Sequence, residues 1–258
     1  MNKKEYLQIF NLIGFIATVI VNFLAVLLPI GGNTTQELSD AIPNLFVPAG
    51  ITFSIWTFIY IFLGLFSVYQ IRDINKKDKI EMKFLDDIGY FFIIGSLANI
   101  LWIIVWHYQL VPISLIFMII LLISLLLIYV KLNIGKSKVP RIEKIAVHIP
   151  FSIYLGWITV ATIANGTAVF VVLGVEGFGL MAEIFTILVI AVAVIITYAM
   201  LLLRKDYAYS IVIVWALLGI FIKQITANLT IAITALISGI LILVGIIYII
   251  IREKFLRK

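Results

Sequence analysis

Long stretches without charged residues alternate with short charged connections along the whole chain. There are seven such stretches, and the longest, 88–130, is interrupted by a polar cluster with Pro112, which indicates a turn between two helices. Most of them reach the length of about 20 residues that a helix needs to cross the hydrocarbon core of a bilayer. The pattern predicts eight transmembrane helices, at 8–29, 50–70, 86–107, 112–131, 146–166, 182–203, 207–223 and 229–251.

The basic residues are sorted to one side of these segments. Eighteen of the 19 Lys and Arg residues lie before the first segment, in the even-numbered connections or after the last segment, and only Lys223 lies on the other side. By the positive-inside rule, both termini are expected in the cytoplasm. The runs are continuously apolar, which favours helices over the alternating strands of a β-barrel. The predicted fold class is therefore an all-α polytopic membrane helix bundle, and the Ile- and Lys-rich composition indicates a bacterial cell (inner) membrane.

Composition narrows the class of protein further. Of the 258 residues, 64% are hydrophobic and 12% are charged, which is about half the charged fraction of a soluble domain. A soluble enzyme, a disordered chain and a disulfide scaffold are excluded on these numbers. The net charge of +6 fits loops that face anionic lipid, because acidic residues interrupt the basic runs and argue against nucleic-acid binding.

Side chains that carry catalysis or bind metals are scarce. The chain has no cysteine, and its two histidines, His107 and His148, are predicted at opposite membrane faces, where they would not share a metal. His107 as an axial haem ligand stays open beside the simpler interpretation of an interfacial histidine. Acidic residues are nearly absent from the segments, apart from Glu183, whereas proton-coupled pumps usually place carboxylates at mid-membrane. We therefore expect neither an enzyme nor a resident cofactor.

Large aromatic residues and amides recur on single faces of three predicted helices. Offsets of 3, 7 and 11 residues place side chains on one side of a helix. The second, third and fifth segments each carry such a row: Phe53, Trp56, Tyr60 and Gly64; Asn99, Trp102 and Trp106; Tyr154, Trp157, Ala161 and Asn165. Belt or packing roles account for many membrane aromatics. Trp56 and Asn99 lie well inside their segments, however, and aromatics beside a few polar groups also form pockets for flat, mostly apolar ligands.

The same three rows resemble motifs of the TspO/MBR family, the tryptophan-rich sensory or translocator proteins. Phe53-Ser-Ile-Trp56-Thr-Phe-Ile-Tyr60 with Gly64 is similar to the second-helix motif of the family. Asn99-Ile-Leu-Trp102 resembles its third-helix motif, and Tyr154 to Asn165 resembles its fifth-helix motif with the spacing intact. Two departures are the sequence that opens helix five, where Phe151 follows Pro150, and Trp106-His107 at the end of helix three.

The resemblance implies a five-helix bundle at 1–166, with a pocket between helices two, three and five under the first loop. Residues 167–258 would then add three transmembrane helices to the same membrane domain of a longer bacterial member. Family members bind porphyrins such as haem and protoporphyrin, so the implied partner is a flat apolar ligand. Tyr154 and Asn165 are expected to pack helices. The residues implied for ligand binding are Trp56, Tyr60, Asn99, Trp102, Trp157 and Ala161.

Several alternatives stay open. The first function predicted is a ligand-binding sensor or regulator in the membrane, and the second is a secondary transporter of a small amphipathic molecule, which eight helices also suit. Lys223 is interpreted either as an interfacial lysine or as a cation that faces an internal site or pairs with Glu183. The small residues Gly95, Ser96 and Ala98 indicate close helix contacts, and the chain is compatible with a homodimer.

Overall fold

Helices make up about four fifths of the chain that the structure describes. The computed structural model describes residues 2–28, 30–174 and 180–256, and no β-strand occurs within these ranges. Pro29, residues 175–179 of the predicted connection 167–181 and the basic residues Arg257 and Lys258 lie outside the described residues. The helices are α1 (Lys3–Leu27), α2 (Thr35–Ala41), α3 (Ile55–Gln70), α4 (Lys83–Ile88), α5 (Phe91–His107), α6 (Val111–Lys131), α7 (Arg141–Glu143), α8 (Ile149–Val172), α9 (Leu180–Arg204), α10 (Tyr207–Gln224) and α11 (Leu229–Leu256).

The eight predicted segments correspond to α1, α3, α5, α6, α8, α9, α10 and α11. Within the described ranges, seven helical stretches are long and apolar enough to cross a membrane. The eighth is α5, and its 17 residues rise about 25 Å, a little less than a hydrocarbon core of about 30 Å. The prediction of an integral, multi-pass membrane protein built as an all-helical bundle is therefore confirmed.

Two predicted boundaries are wrong for local physical reasons. The third segment was predicted from residue 86, but Gly89 adopts φ 53° and its N–H closes α4 on Leu85, so α5 begins only at Phe91. The fifth segment was predicted at 146–166, but the helical stretch is longer at both ends, from Arg141 to Val172, and passes through a π turn, Lys144–His148. The π turn ends two residues before Pro150, which has no N–H for a regular helical bond.

The helices form two connected groups. Helices α1, α3, α5, α6 and α8 pack against one another, and α9 and α11 pack against α10. The two groups join where α10 lies against α8. At that junction an added Cβ on Gly156 would lie 3.1 Å from Cβ of Val212, so the backbones approach closely. The predicted division at residue 166 stays a prediction.

The charged connections meet at one end of the bundle. Lys3 and Lys4 at the start of α1 pair with Asp86 and Asp73 of the connection between α3 and α5, the first pair at 3.0 Å. At the same end, Nη1 of Arg204 donates to the carbonyl of Ile134 at 3.1 Å, and Lys205 pairs with Glu253 of α11. The start of α1 and the end of α11 therefore lie at one end of the bundle, whereas the predicted placement of both termini in the cytoplasm stays a prediction.

Candidate functional site

An aromatic cluster lies in the half of the bundle away from the termini. Trp56 of α3 is at its centre, with ring centroids 5.6 Å from Tyr60, 6.1 Å from Trp102, 6.2 Å from Tyr154 and 6.2 Å from Trp157. Three helices contribute these rings because each carries its row of aromatics on the face that turns inward. The stacked and edge-on contacts among them are the favourable geometries for aromatic pairs.

A cavity of about 50 Å³ opens between this cluster and the loop that precedes α3. Four of the residues predicted for ligand binding line it, namely Trp56, Trp102, Trp157 and Ala161. The remaining lining residues are Thr35, Ser39, Ile42, Val47, Pro48, Phe53, Trp106, Val160, Ala164, Asn165 and Ala168. None of the lining residues carries a charge, so the surface of the cavity is neutral and mostly apolar.

Tyr60 and Asn99, also predicted for ligand binding, do not line the cavity. Tyr60 stacks on Trp56 from the side nearer the termini, and its buried hydroxyl has no hydrogen-bond partner among the described residues. Asn99 is fully buried; it accepts a hydrogen bond from Nδ2 of Asn22 at 2.7 Å and donates to the hydroxyl of Tyr154 at 3.1 Å. In the structure, Asn99 therefore joins α1, α5 and α8, as a buried amide in a membrane requires.

Asn165 shows the reverse outcome, because a residue predicted to pack helices also lines the cavity. Its Oδ1 accepts from Nε1 of Trp102 at 3.3 Å and from the Ser114 hydroxyl at 3.1 Å. Trp106 is a further lining residue that was not predicted as a ligand contact. Its position seven residues after Asn99 on the same helical face could have identified it.

The segment 30–54, here called the lid, closes the cavity at the end away from the termini. It contains α2, whose first turn is capped by Thr34 and Glu37 in a reciprocal capping box. The hydrogen bonds from Thr34 outweigh the small cost of desolvation and lower the pKa of Glu37. Asn44 of the lid donates to the Thr167 hydroxyl of α8 at 2.6 Å. Sequence reasoning missed the lid residues of the cavity because a loop has no periodicity to read.

Two titratable residues weighed from the sequence lie elsewhere than in the cavity. His107 is 2% exposed and its Nδ1 lies 2.7 Å from the carbonyl of Ile103, but it does not line the cavity. Lys223 pairs with Asp40 of the lid, and Glu183 accepts instead from Asn228 at 2.7 Å. Of the alternatives left open for Lys223, the pairing with Glu183 is therefore wrong.

The sequence of the chain matches a family of known proteins. The family model of the TSPO-like proteins matches residues 8–248, which includes the aromatic rows, the lid and most of the three C-terminal helices. No curated protein and no solved structure shows a significant match to the chain. Since the family model covers well over half of its length, the chain belongs to the TSPO-like protein family.

Proposed function

We propose that this membrane protein is a ligand-binding sensor or regulator, and that it holds a flat, mostly apolar ligand such as a porphyrin in the cavity between α3, α5 and α8. Membership of the TSPO-like family and the uncharged, tryptophan-lined cavity under a lid support this function. The ligand would lie against the rings of Trp56, Trp102 and Trp157, with the small Ala161 leaving room beside them.

The observation that carries the proposal is the indole of Trp157. The residue is 3% exposed and lines the cavity, yet its Nε1–H has no hydrogen-bond partner among the described residues. A buried donor left without an acceptor costs about 1–3 kcal/mol. A ligand with a hydrogen-bond acceptor near its ring would remove that cost, so the cavity favours a heteroaromatic ligand over a plain hydrocarbon.

The size and chemistry of the cavity restrict the ligand further. A space of about 50 Å³ holds a few waters, since one water needs about 10–15 Å³ on this measure. A porphyrin therefore requires the lid or the side chains to move. No histidine lines the cavity, so the lining residues offer haem iron no imidazole ligand, and a metal-free porphyrin is the better first probe.

Titration of the intrinsic tryptophan fluorescence with protoporphyrin IX in detergent tests the proposal. Four of the five tryptophans line the cavity, so a bound porphyrin quenches most of the emission. We expect saturable quenching at micromolar ligand and at least tenfold weaker binding in Trp157→Ala, because large aromatic contacts dominate such sites. Trp157→Phe keeps the ring contact and removes only the N–H.

A matched control is Phe58→Ala, because Phe58 lies on the same helix as Trp56 but is 55% exposed. This variant should bind like the wild type. Absence of saturable quenching, or equal weakening by Phe58→Ala and Trp157→Ala when both keep their helicity, would reject the porphyrin site.

Secondary transport of a small amphipathic molecule is the second candidate function. The observation that favours it is a smaller cavity of about 10 Å³ nearer the termini, lined by Phe15, Ser96 and Leu125 among others. Tyr154 contacts Trp56 of the aromatic cluster and also lines this second cavity, so a path between the two spaces would pass this side chain. Counterflow of a labelled porphyrin in liposomes distinguishes the two functions, because a sensor binds the compound without moving it.

The placement in the membrane belongs to the same proposal. We expect both termini in the cytoplasm of a bacterial cell, since the connections at that end carry most of the basic residues. The chain has no cysteine, so a single Lys254→Cys variant reports the side of the C-terminal end through labelling by an impermeant maleimide. A homodimer stays a prediction, but Gly95 and Ser96 pack within the chain, against Leu121 and Gly14.

A further inference from the structure

Helix α10 lies directly against the lid, although it is distant from it in sequence. The backbone N–H of Ala49 donates to the carbonyl of Gly219 at 2.9 Å. One turn earlier on α10, Nε1 of Trp215 donates to the carbonyl of Thr52 at 3.0 Å. These two bonds fix the part of the lid that leads into α3, and thus the position of the cavity roof.

Polar side chains near the end of α10 continue the contact. Nε2 of Gln224 donates to the carbonyl of Leu45 at 3.0 Å, and Lys223 forms an ion pair with Asp40. The two charged side chains are 27% and 41% exposed, so water competes with the ion pair. Of the four contacts, the ion pair is therefore the one that water reaches most easily, whereas Thr52 and Gln224 are buried.

Gly219 makes the close approach possible. A Cβ at this position would lie 2.0 Å from Oγ1 of Thr52 and 2.8 Å from Cβ of Pro48. Pro48 itself lines the cavity. Any side chain at residue 219 must therefore push away a part of the lid that forms the cavity roof.

We propose that α10 is a latch that holds the lid shut over the aromatic cavity, so that the C-terminal helices control exchange between the cavity and the surrounding medium. The proposal rests on the proposed function in taking this cavity as the ligand site. It assigns Gly219, Trp215 and Lys223 a positioning role, because they touch the lid and do not line the cavity. Helix α10 can serve as a fixed support since it is packed against α8 at Gly156.

Acrylamide quenching of tryptophan fluorescence in lipid nanodiscs tests the latch without any ligand. Four of the five tryptophans line the cavity, so the quenching constant reports how often the lid opens. Gly219→Ala should raise this constant at least twofold. The matched control is Gly166→Ala, because a Cβ at Gly166 meets nothing within 4 Å. Circular dichroism and thermal unfolding of both variants verify that they are folded.

The ion pair is tested by charge exchange. Lys223→Asp should raise the frequency of lid opening by about two- to fivefold, the range expected for an exposed ion pair, and adding Asp40→Lys in the same chain should restore the wild-type value. The absence of cysteine also allows Asp40→Cys with Lys223→Cys to be joined by a short bis-thiosulfonate. Acrylamide should quench the tryptophans of the cross-linked protein less than those of the wild type until a reductant is added.

The outcomes separate the latch from the ligand site. If Gly219→Ala and the cross-link change quenching while protoporphyrin IX fails to bind, the latch stands and the proposed function falls. If porphyrin binds but Gly219→Ala and Gly166→Ala have the same acrylamide quenching constant, the latch is rejected. The latch is also rejected if the cross-linked protein and its reduced form have the same acrylamide quenching constant.

Discussion

The carboxylate of Asp73 provides the sharpest test of how the helices are held at the end of the bundle that carries the termini. Its side chain is fully buried just after α3, where it pairs with Lys4 of α1. It also accepts a hydrogen bond from Nε2 of Gln8 at 2.8 Å and one from the backbone N–H of Ile80 at 2.7 Å. Asp73 thus joins the start of α1 to the connection that follows α3.

The contribution of Asp73 to the free energy of unfolding follows from the shift of its pKa. Burial alone would raise the pKa of the carboxyl, but the hydrogen bonds from Lys4, Gln8 and Ile80 outweigh it and lower the pKa from 3.8 to about 2. A pKa difference of nearly two corresponds to about 2 kcal/mol at neutral pH. Since the Lys4 side chain is 22% exposed, screening reduces this, and we expect Asp73→Asn to lower the free energy of unfolding by about 1–2 kcal/mol.

Unfolding in mixed micelles at pH 6, combined with thermal unfolding between pH 2 and pH 6, measures this effect. Because the pKa is lower in the folded state, the stabilisation is fully present above pH 4 and disappears as the pH falls towards 2. The difference between wild type and Asp73→Asn should therefore vanish at low pH. Asp86→Asn is the matched control, since Asp86 pairs with Lys3 while both are well exposed, and it should change stability too little to resolve. Equal effects of the two variants, or a difference at pH 2 as large as that at pH 6, would refute this account.

Two further substitutions test the packing around the cavity. Gly156→Leu should separate α8 from α10 and cost about 1–3 kcal/mol in thermal unfolding, whereas Gly156→Ala should cost less, because its Cβ needs only a small movement of Val212. Asn99→Leu should cost about 1–2 kcal/mol by removing bonds to Asn22 and Tyr154, yet leave protoporphyrin binding within twofold of wild type. Weaker binding by Asn99→Leu at unchanged stability would instead place Asn99 in the ligand site.

The membrane helices could be predicted from the sequence because a bilayer imposes a length and an absence of charge on each of them. The predicted boundaries are wrong where local backbone conformation determines the start of a helix. Gly89, with its positive φ, divides the third segment into α4 and α5, and the π turn before Pro150 lets the fifth stretch begin at Arg141. Neither feature changes hydrophobicity, so a pattern of apolar residues does not reveal them.

The tryptophans that line the cavity could also be identified from the sequence pattern, whereas the contacts of the lid could not. Trp56, Trp102 and Trp157 face one cavity because helical periodicity fixes which side chains share a face. The partner of Lys223 could not be predicted, since Asp40 lies in a loop whose path depends on tertiary contacts with α10. Glu183 was the nearer acidic residue in sequence, but it is bonded to Asn228.

The walls and the roof of the cavity are held together by different kinds of bond. The walls are joined by buried polar bonds within the hydrocarbon, such as Asn22 to Asn99 and Asn165 to Ser114, where water cannot replace a broken hydrogen bond. Among the contacts that hold the lid, the ion pair of Lys223 with Asp40 is partly exposed, and water can replace it. Separation of the walls therefore costs more than movement of the lid. In the proposed site, a ligand too large for about 50 Å³ would therefore reach the tryptophans by way of the lid, and under the proposed latch the strength of the α10 contacts would set how fast it does so.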